Sequence, residues 1–433
     1  MEGELVAVVY GAEIGRVRQN ARGKLSFSYA PGWREQEDAF PLSLSMPMAL
    51  TEHPDPVIRP FLEGLLPDNT NILRDWGRRF HASPNNPFSL LSRVGEDCPG
   101  AVQFARPDKL EPLLRTAPGD VEWLTEGEIA ERLRGLRRTP GAWREAGDVG
   151  YFSLAGAQPK TALLRDGGRW GVPSGRTPTT HIFKPPVMQF DGFAENEHIC
   201  LRLARALGLP AAHTEVARFE DQVAIVVERY DRMRTADGIV RVHQEDFCQA
   251  FSVPPRTKYE NEGGPGAERI LELLYTHSSR RDEDVATLVD ALALNWVIGG
   301  TDAHAKNYSL LIGRRGQVRL APLYDVVSAL PYHRLQVRKL KLAMRIGGEY
   351  SLWRIGRRHW ERLAAAAGLE PEPLVRRVGE VASQIPDLLA GECRRAEAEG
   401  LTHPLLARLT DAVAVQAKQA MSRLKQSSGH TET

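Results

Sequence analysis

Strands and helices can be read from where apolar residues recur along the chain. A short apolar run predicts a strand over 5–10 and alternation of apolar and polar positions another over 24–29, with 11–15 as a turn between them. Residues 56–66 read as a short helix stopped by Pro67-Asp68-Asn69, followed by helical pieces at 70–76 and 87–94 and a strand at 101–104. A charged helix is expected over 126–136, then a loop running into a strand over 153–164. Residues 181–184 make a short strand that Pro185 and Pro186 stop, which suits a sheet edge next to a cleft. The strongest amphipathic helix is 193–207, where Ile199, Leu203, Ala206 and Leu207 share one face and Gly208 ends it. Glu195, Asn196 and Glu197 fall near its start, where carboxylates suit the helix dipole. A buried-type strand follows at 223–227. Helices at 243–251 and 267–276 flank a polar, Pro- and Gly-rich segment, 254–266, read as a mobile loop. An apolar helix runs from 283 to 298, and 351–367, 374–385 and 405–425 supply C-terminal helices. The tail, 426–433, is polar and expected to be disordered.

Composition narrows the class. At 433 residues, 42% hydrophobic and 26% charged, the chain is long enough for two or three ordinary globular domains. A net charge of +1 lacks the global footprint of an autonomous nucleic-acid binder. The four cysteines, Cys98, Cys200, Cys248 and Cys393, are scattered without a C-x-x-C, so neither a zinc site nor a disulfide framework is expected. That fits a reducing cytoplasm. The acidic start with its short apolar run reads as a strand, not a signal peptide. No stretch approaches the roughly 18 apolar residues of a membrane span.

Candidate chemistry concentrates in NWVIGGTDAHAKN, residues 295–307. The apolar helix runs into Gly299-Gly300, which permits a sharp turn. Asp302 and Asn307 then stand in D-x-x-x-x-N spacing. In a protein-kinase catalytic loop the aspartate orients the substrate hydroxyl and accepts its proton, and the asparagine offers a neutral oxygen to magnesium. Asp325 follows a strand at 308–312 and a hairpin at 313–316, so it can return beside Asn307 as the charged magnesium ligand. Spacing alone fits a helix C-cap with a polar loop equally well. Upstream, Ala155, Gly156 and Ala157 leave the backbone bare, suited either to phosphate oxygens or to a plain hairpin turn. The loop is not a Walker A, because Pro159 precedes Lys160 and no G-K-[ST] is present. Lys184 is the strand lysine that pairs phosphates in kinases, or a solvated edge lysine. Glu197 is either its partner or a surface acid.

The words in order shift the balance towards the kinase reading, though Glu197 stays open. SLAGAQPKTAL (153–163), HIFKPP (181–186), VVERYDR (226–232), HQEDFCQA (243–250), GGTDAHAKNYS (299–309) and APLYDVVSALPY (321–332) together resemble the HipA family, the serine/threonine kinase toxins of bacterial toxin–antitoxin modules. APGW, PLSLSMPM, FLEGLLPDN, PFSLLSRVGEDCPGAVQF and KLAMRIGGEYSLWRIGRRHW extend the likeness over nearly the whole chain. The resemblance implies an α+β, bilobal protein-kinase-like fold with an N-terminal α/β docking subdomain (1–110) and a connecting segment (111–150). A kinase-like N-lobe core (151–235), a mostly helical catalytic C-lobe (236–425) and the tail (426–433) complete it. It implies ATP and Mg2+ as cofactors, Asp302 as the base, and Asn307 and Asp325 as metal ligands. Ala155, Gly156, Ala157, Gln158, Pro159, Lys160, Lys184, Glu228, Arg229, Tyr230, His304, Ala305, Lys306, Asn307, Tyr324 and Asp325 are its implied ATP contacts. Tyr230 stands where the family more often has phenylalanine. Ser153 is the implied autophosphorylation site, where a phosphate carrying about −1.5 to −2 charges would drive the loop outward. Implied partners are a helix-turn-helix, HipB-like antitoxin, operator DNA reached mainly through it, and a protein substrate in translation such as an aminoacyl-tRNA synthetase. The alternative is an ATP-binding co-repressor acting with its antitoxin.

Overall fold

The computed structural model describes residues 3–114, 119–139, 153–187, 189–236 and 238–426. Parts of the expected connecting segment (115–118 and 140–150), the expected start of the N-lobe core (151–152) and nearly all of the expected disordered tail (427–433) lie outside the described residues. The chain forms two compact units, Met1–Pro185 with Ala217–Arg256 and Ser309–Val318, and Pro186–Val216 with Thr257–Tyr308 and Arg319–Thr433. This division does not follow the expected boundaries near 110 and 235. His243–Asp246 and Ser309–Ile312 pair antiparallel with each other inside the first unit, so late stretches of chain return to it.

The first unit is built on antiparallel sheets. A five-stranded sheet runs Glu52–Pro54, Leu25–Tyr29, Ala12–Gln19, Gly3–Val9, Gln103–Ala105. The stretch 11–15 is therefore not a turn. The reversal is made at Tyr10-Gly11, and Gly15 lies inside a strand, where an added Cβ would stand 2.5 Å from the Ser28 carbonyl oxygen. Glycine is there for close strand approach rather than for turning. Helices Asp55–Gly64, Thr70–Phe80 and Pro87–Val94 belong to the same unit, and Phe27, Phe40, Phe61 and Phe104 are fully buried in a common core with Leu5 and Ile14.

The second sheet is six-stranded. Within the first unit it runs Gln222–Glu228, His181–Lys184, Thr161–Asp166, Arg169–Pro173, Val121–Leu124. His181–Lys184 thus pairs on both sides, with Gln222–Glu228 and Thr161–Asp166, and is an interior strand, not the expected edge. Residues 243–251, expected as one helix, split into strand His243–Asp246 and a single helical turn, Phe247–Ala250, capped by the Asp246 side chain on Gln249 N.

Glu245 on that strand is completely buried. Its Oε1 accepts from Leu44 N at 2.8 Å, while its Oε2 has no hydrogen-bond partner. Burial pushes its carboxyl from near 4.5 up to about 8. The folded chain therefore holds this proton where the unfolded chain has released it, so stability falls as pH rises between about 4.5 and 8. Each unit of such a shift corresponds to about 1.4 kcal/mol. Glu245→Gln keeps the accepting oxygen and removes the ionisation. Denaturant melts at pH 5 and pH 8 are expected to show the variant gaining on the wild type as pH rises; parallel curves would contradict this.

The second unit is mostly helical. Helix Arg281–Ile298 is buried at every position from Leu288 to Ile298, the pattern of a central helix wrapped on all sides. Helix Pro371–Ala398 packs against it and against Leu405–Lys425, Arg357–Ala366 and Phe193–Ala206. Trp296 and Trp360 meet with ring centroids 5.6 Å apart. The helix expected from 351 begins only at Arg357, because the preceding residues form a hairpin, Lys341–Ile346 with Glu349–Ser351, turning at Gly347-Gly348 with positive φ. No helix among the described residues is long and apolar enough to cross a membrane. All four cysteines are buried and none is in a disulfide.

Candidate active site

The expected site residues divide between the units. Ser153 to Lys160, Lys184 and Glu228 to Tyr230 belong to the first, and Asp302 to Asn307, Tyr324 and Asp325 to the second.

In the first unit the loop from Ser153 to Pro159 is tied to the segment after helix Asp55–Gly64. Ser153 is fully buried; its hydroxyl donates to Leu65 O at 2.7 Å and its N–H to Asp97 O at 2.9 Å. Gly156 bridges to Pro67 and accepts from Asp68 N at 3.1 Å. Its φ of +104° lies where a side chain is strained, which favours glycine. Lys160 folds back over the loop, donating to Ala155 O at 2.8 Å. Asn69 Nδ2 reaches Ala157 O at 3.4 Å, and Gln158 Nε2 donates to Pro185 O at 3.1 Å. Lys184, opposite Ile225 in the sheet, is only 4% exposed.

Within the segment from Glu228 to Tyr230, Arg229 is tied inward. Its N–H donates to Thr180 O, and its guanidinium donates to both oxygens of Asp231, to Cys98 O and to Thr179 Oγ1, all within 2.9–3.0 Å. The Arg229 side chain is thus an internal tie. Glu228 remains exposed at the strand end, and the Tyr230 hydroxyl hydrogen-bonds Gln244. Beside Arg229, Asp97 gathers Arg232 Nη2 at 2.8 Å, Arg241 Nη2 at 3.1 Å and the Thr179 hydroxyl at 2.7 Å. Burial opposes ionisation of Asp97, but Arg232, Arg241 and Arg229 outweigh it and hold its carboxyl below the usual carboxylate range. Two acids and three arginines thus sit together without solvent, a cluster whose only trace in the sequence is the density of charge in VVERYDR and GEDC.

In the second unit the helix Arg281–Ile298 ends on Gly299 in the left-handed conformation, φ +66°. An added Cβ on Gly300 would stand 2.0 Å from Asn295 Oδ1, and Asn295 Nδ2 is already held by Ala291 O and the Tyr308 hydroxyl. The two glycines therefore set the turn that presents Asp302, which is exposed. The loop closes on itself: the Asp302 carbonyl accepts His304 N–H and Asn307 Nδ2, each at 2.8 Å. That bond commits the Asn307 amide nitrogen and turns Oδ1 into its accepting end. His304, Ala305 and Lys306 are buried. The Tyr324 hydroxyl donates to Lys306 O at 2.7 Å, which ties the segment carrying Asp325 to this loop. Two further sets of bonds hold that segment. Leu323 N donates to Pro210 O and Ala212 N to Leu323 O, both at 2.8 Å, while Ala329 N reaches Gly299 O at 3.0 Å. Asn196, on helix Phe193–Ala206, bonds both N and O of Ser328. Asp325 itself has φ +53°, a conformation an aspartate adopts only where its surroundings impose it. Glu197, beside Asn196, is buried.

Two features escaped the reading of the sequence. One is the Asn196–Ser328 clamp. The other is Tyr259 in the segment 254–266, whose hydroxyl donates to Asp302 Oδ1 at 2.6 Å and whose ring stands edge-on to His304 at 5.0 Å. The segment is not a plain loop. It contains two 3₁₀ turns, Pro255–Thr257 and Glu260–Glu262.

An amide oxygen and a carboxylate are hard donors that suit magnesium shared with phosphates. No cluster of three or more His, Cys, Asp or Glu side chains able to hold a metal occurs among the described residues.

Comparison with known proteins places the chain in a family. Residues 5–105 match the HipA N-terminal domain and residues 152–389 the HipA-like C-terminal domain. Y4mE of Sinorhizobium fredii is 41% identical over 369 residues, covering 85% of this chain and 86% of its own. The serine/threonine-protein kinase toxin HipA of Shewanella oneidensis is 29% identical over 395 residues, again 85% and 86%. A solved HipA from Shewanella oneidensis MR-1, in complex with HipB and its operator DNA, superposes with a TM-score of 0.79 at 26% identity, covering 97% of this chain and 96% of that one. With both domains matched in order and the fold shared end to end, the chain belongs to the HipA family.

Proposed function

We propose that the chain is a serine/threonine-protein kinase that moves the γ-phosphoryl group of ATP onto a protein hydroxyl and serves as the toxin of a toxin–antitoxin module. One observation carries this reading: exposed Asp302 stands on a self-bonded loop tied through Tyr324 to the segment bearing Asp325. Membership in a family that includes a serine/threonine-protein kinase toxin supports it.

Asp302 orients the substrate hydroxyl and takes its proton as the oxygen attacks the γ-phosphorus; the bond to the β–γ bridging oxygen breaks, and ADP leaves. Lys160 and Lys184 balance phosphate charge. Ala155 to Pro159 line the phosphates, the backbone from Glu228 to Tyr230 the base, and His304 to Lys306 the site around the loop. Asn307 and Asp325 are the residues that would hold magnesium, which when bound neutralises charge on the phosphates. Little covalent work falls to the chain, so positioning and charge supply most of the acceleration. Calorimetric titration with ATP tests the ligand. Binding is expected to require magnesium and to weaken about ten-fold or more in Asp325→Ala. Equal binding without magnesium would overturn the assignment.

Ser153 is proposed as the site of self-inactivation. Its present place is closed: a phosphate there would set negative oxygens against the Leu65 carbonyl that the hydroxyl now satisfies. A modified loop would therefore leave Leu65 and Pro67. Ser153→Ala is expected to stay active on prolonged incubation with ATP, where the wild type loses activity; identical time courses would contradict this.

A second role accompanies the first. The related HipA was solved with HipB and operator DNA. By analogy, this chain binds a HipB-like helix-turn-helix antitoxin and meets operator DNA mainly through it, in the cytoplasm. Asp302→Ala should lose toxicity and keep antitoxin-dependent repression. The protein substrate is proposed to belong to translation, with an aminoacyl-tRNA synthetase as the first to test.

A further inference from the structure

We infer that Tyr259 is a positioning residue for phosphoryl transfer: its phenol fixes the carboxylate of Asp302 so that one oxygen is held and the other is presented to the substrate hydroxyl. The inference rests on the kinase reading of Asp302.

The contact is short and specific. Tyr259 Oη donates to Asp302 Oδ1 at 2.6 Å, and Oδ2 of the same carboxylate has no hydrogen bond among the described residues. A bond from a neutral hydroxyl to a charged acceptor is among the stronger protein hydrogen bonds. Asp302 is exposed and stands at the start of a turn, with freedom about χ1 and χ2 that its backbone contacts do not remove. A base that rotates away loses reactive geometry, and small misplacements carry large rate penalties.

The segment holding the phenol is built to stay in place. The Tyr259 carbonyl accepts both Glu262 N at 3.0 Å and Gly264 N at 2.9 Å, closing a tight 3₁₀ turn. Gly263 follows with φ +99°. The Glu260 carboxylate accepts Arg345 N at 2.7 Å and the Arg345 guanidinium at 2.9 Å, which fastens the turn to strand Lys341–Ile346. A Cβ on Gly264 would stand 2.4 Å from Thr257 O, and one on Gly266 2.2 Å from Glu260 Oε1. Beyond the hydroxyl, the edge-on contact with His304 sets the ring plane. An arm anchored at this many points behaves as a fixed bracket for Asp302. A plug that occupied the substrate position and had to swing out would need a looser attachment.

Tyr259→Phe removes one oxygen and keeps the ring. With magnesium-ATP and a saturating protein substrate, or with autophosphorylation as the assay, kcat is expected to fall roughly 10- to 100-fold, the scale of one lost hydrogen bond to a charged group. KM for ATP, calorimetric ATP affinity and melting temperature are expected to stay at wild-type values. Glu260→Ala keeps the hydroxyl and frees the turn, so a smaller loss in kcat alone is expected. A wild-type kcat in Tyr259→Phe overturns the inference while leaving the kinase reading standing. A faster Tyr259→Phe also overturns it, since it marks the phenol as an obstacle. Absence of transfer by the wild type, with ATP bound, removes both.

Discussion

Asp302→Ala is expected to lower phosphoryl transfer by about 10²- to 10⁴-fold while leaving folding and ATP affinity close to wild type. The separation follows from where the residue sits. Asp302 is exposed, so truncation opens no cavity. The bonds that shape the loop come to its backbone carbonyl, from His304 N–H and Asn307 Nδ2, and alanine keeps that carbonyl. Among the described residues the side chain bonds the Tyr259 hydroxyl in an exposed contact, and the hydroxyl can rebond to water. Melting temperature, ATP titration and single-turnover transfer on the same preparation check this. Loss of ATP affinity in parallel with transfer would show that Asp302 acts in binding, and undiminished transfer would remove it from the chemistry.

Asp97→Ala is expected to be the most destabilising single change, on the order of 3–5 kcal/mol. Asp97 accepts from Arg232, Arg241 and Thr179 in a place sealed from water, and Arg229 lies within 3.5 Å. Removing it leaves three buried guanidiniums with Asp231 as the carboxylate among them. Methyl-sized truncations cost less because they strand no charge. The loss also reaches the loop from Ser153 to Pro159, because the Asp97 carbonyl receives Ser153 N–H and the chain at Asp97 is held in place by the same arginines. Denaturant melts should show a large drop in midpoint. Asp97→Asn keeps the shape without the charge and is expected to fall between the two. A midpoint near wild type for Asp97→Ala would contradict the role given to the cluster.

What could be read from the sequence is what local chemistry encodes. The apolar run into Gly299-Gly300 predicts helix, turn and presented loop together, and the structure has helix Arg281–Ile298 ending in a left-handed glycine. Pro87–Val94 and Leu405–Lys425 fall where periodicity places them. Long-range partners were not legible. A four-residue strand such as His181–Lys184 carries no sign of whether one neighbour flanks it or two, so Lys184 was expected at an edge and lies inside. His243–Asp246 is a strand because Ser309–Ile312 pairs with it, a partner more than sixty residues away, whereas its own residues favour neither state. Gly15 reads as a turn by composition and is a close-approach site by packing. The density of charge in VVERYDR is visible in the sequence, but not that Arg229 is internal, since buried charges are uncommon. Tyr259 lies 43 residues before Asp302 in a polar, glycine-rich stretch, and nothing local distinguishes it from a loop tyrosine.

The most direct measurement is intact-mass spectrometry of the purified protein before and after incubation with magnesium and ATP, with Asp302→Ala treated alongside. One added phosphate on the wild type alone, mapped to Ser153, is the predicted result; if the wild type is purified already modified, the same difference from the variant is expected at the outset. Unmodified protein in both samples, with ATP binding measured in the same preparation, would contradict the assignment of self-phosphorylating kinase chemistry to this site.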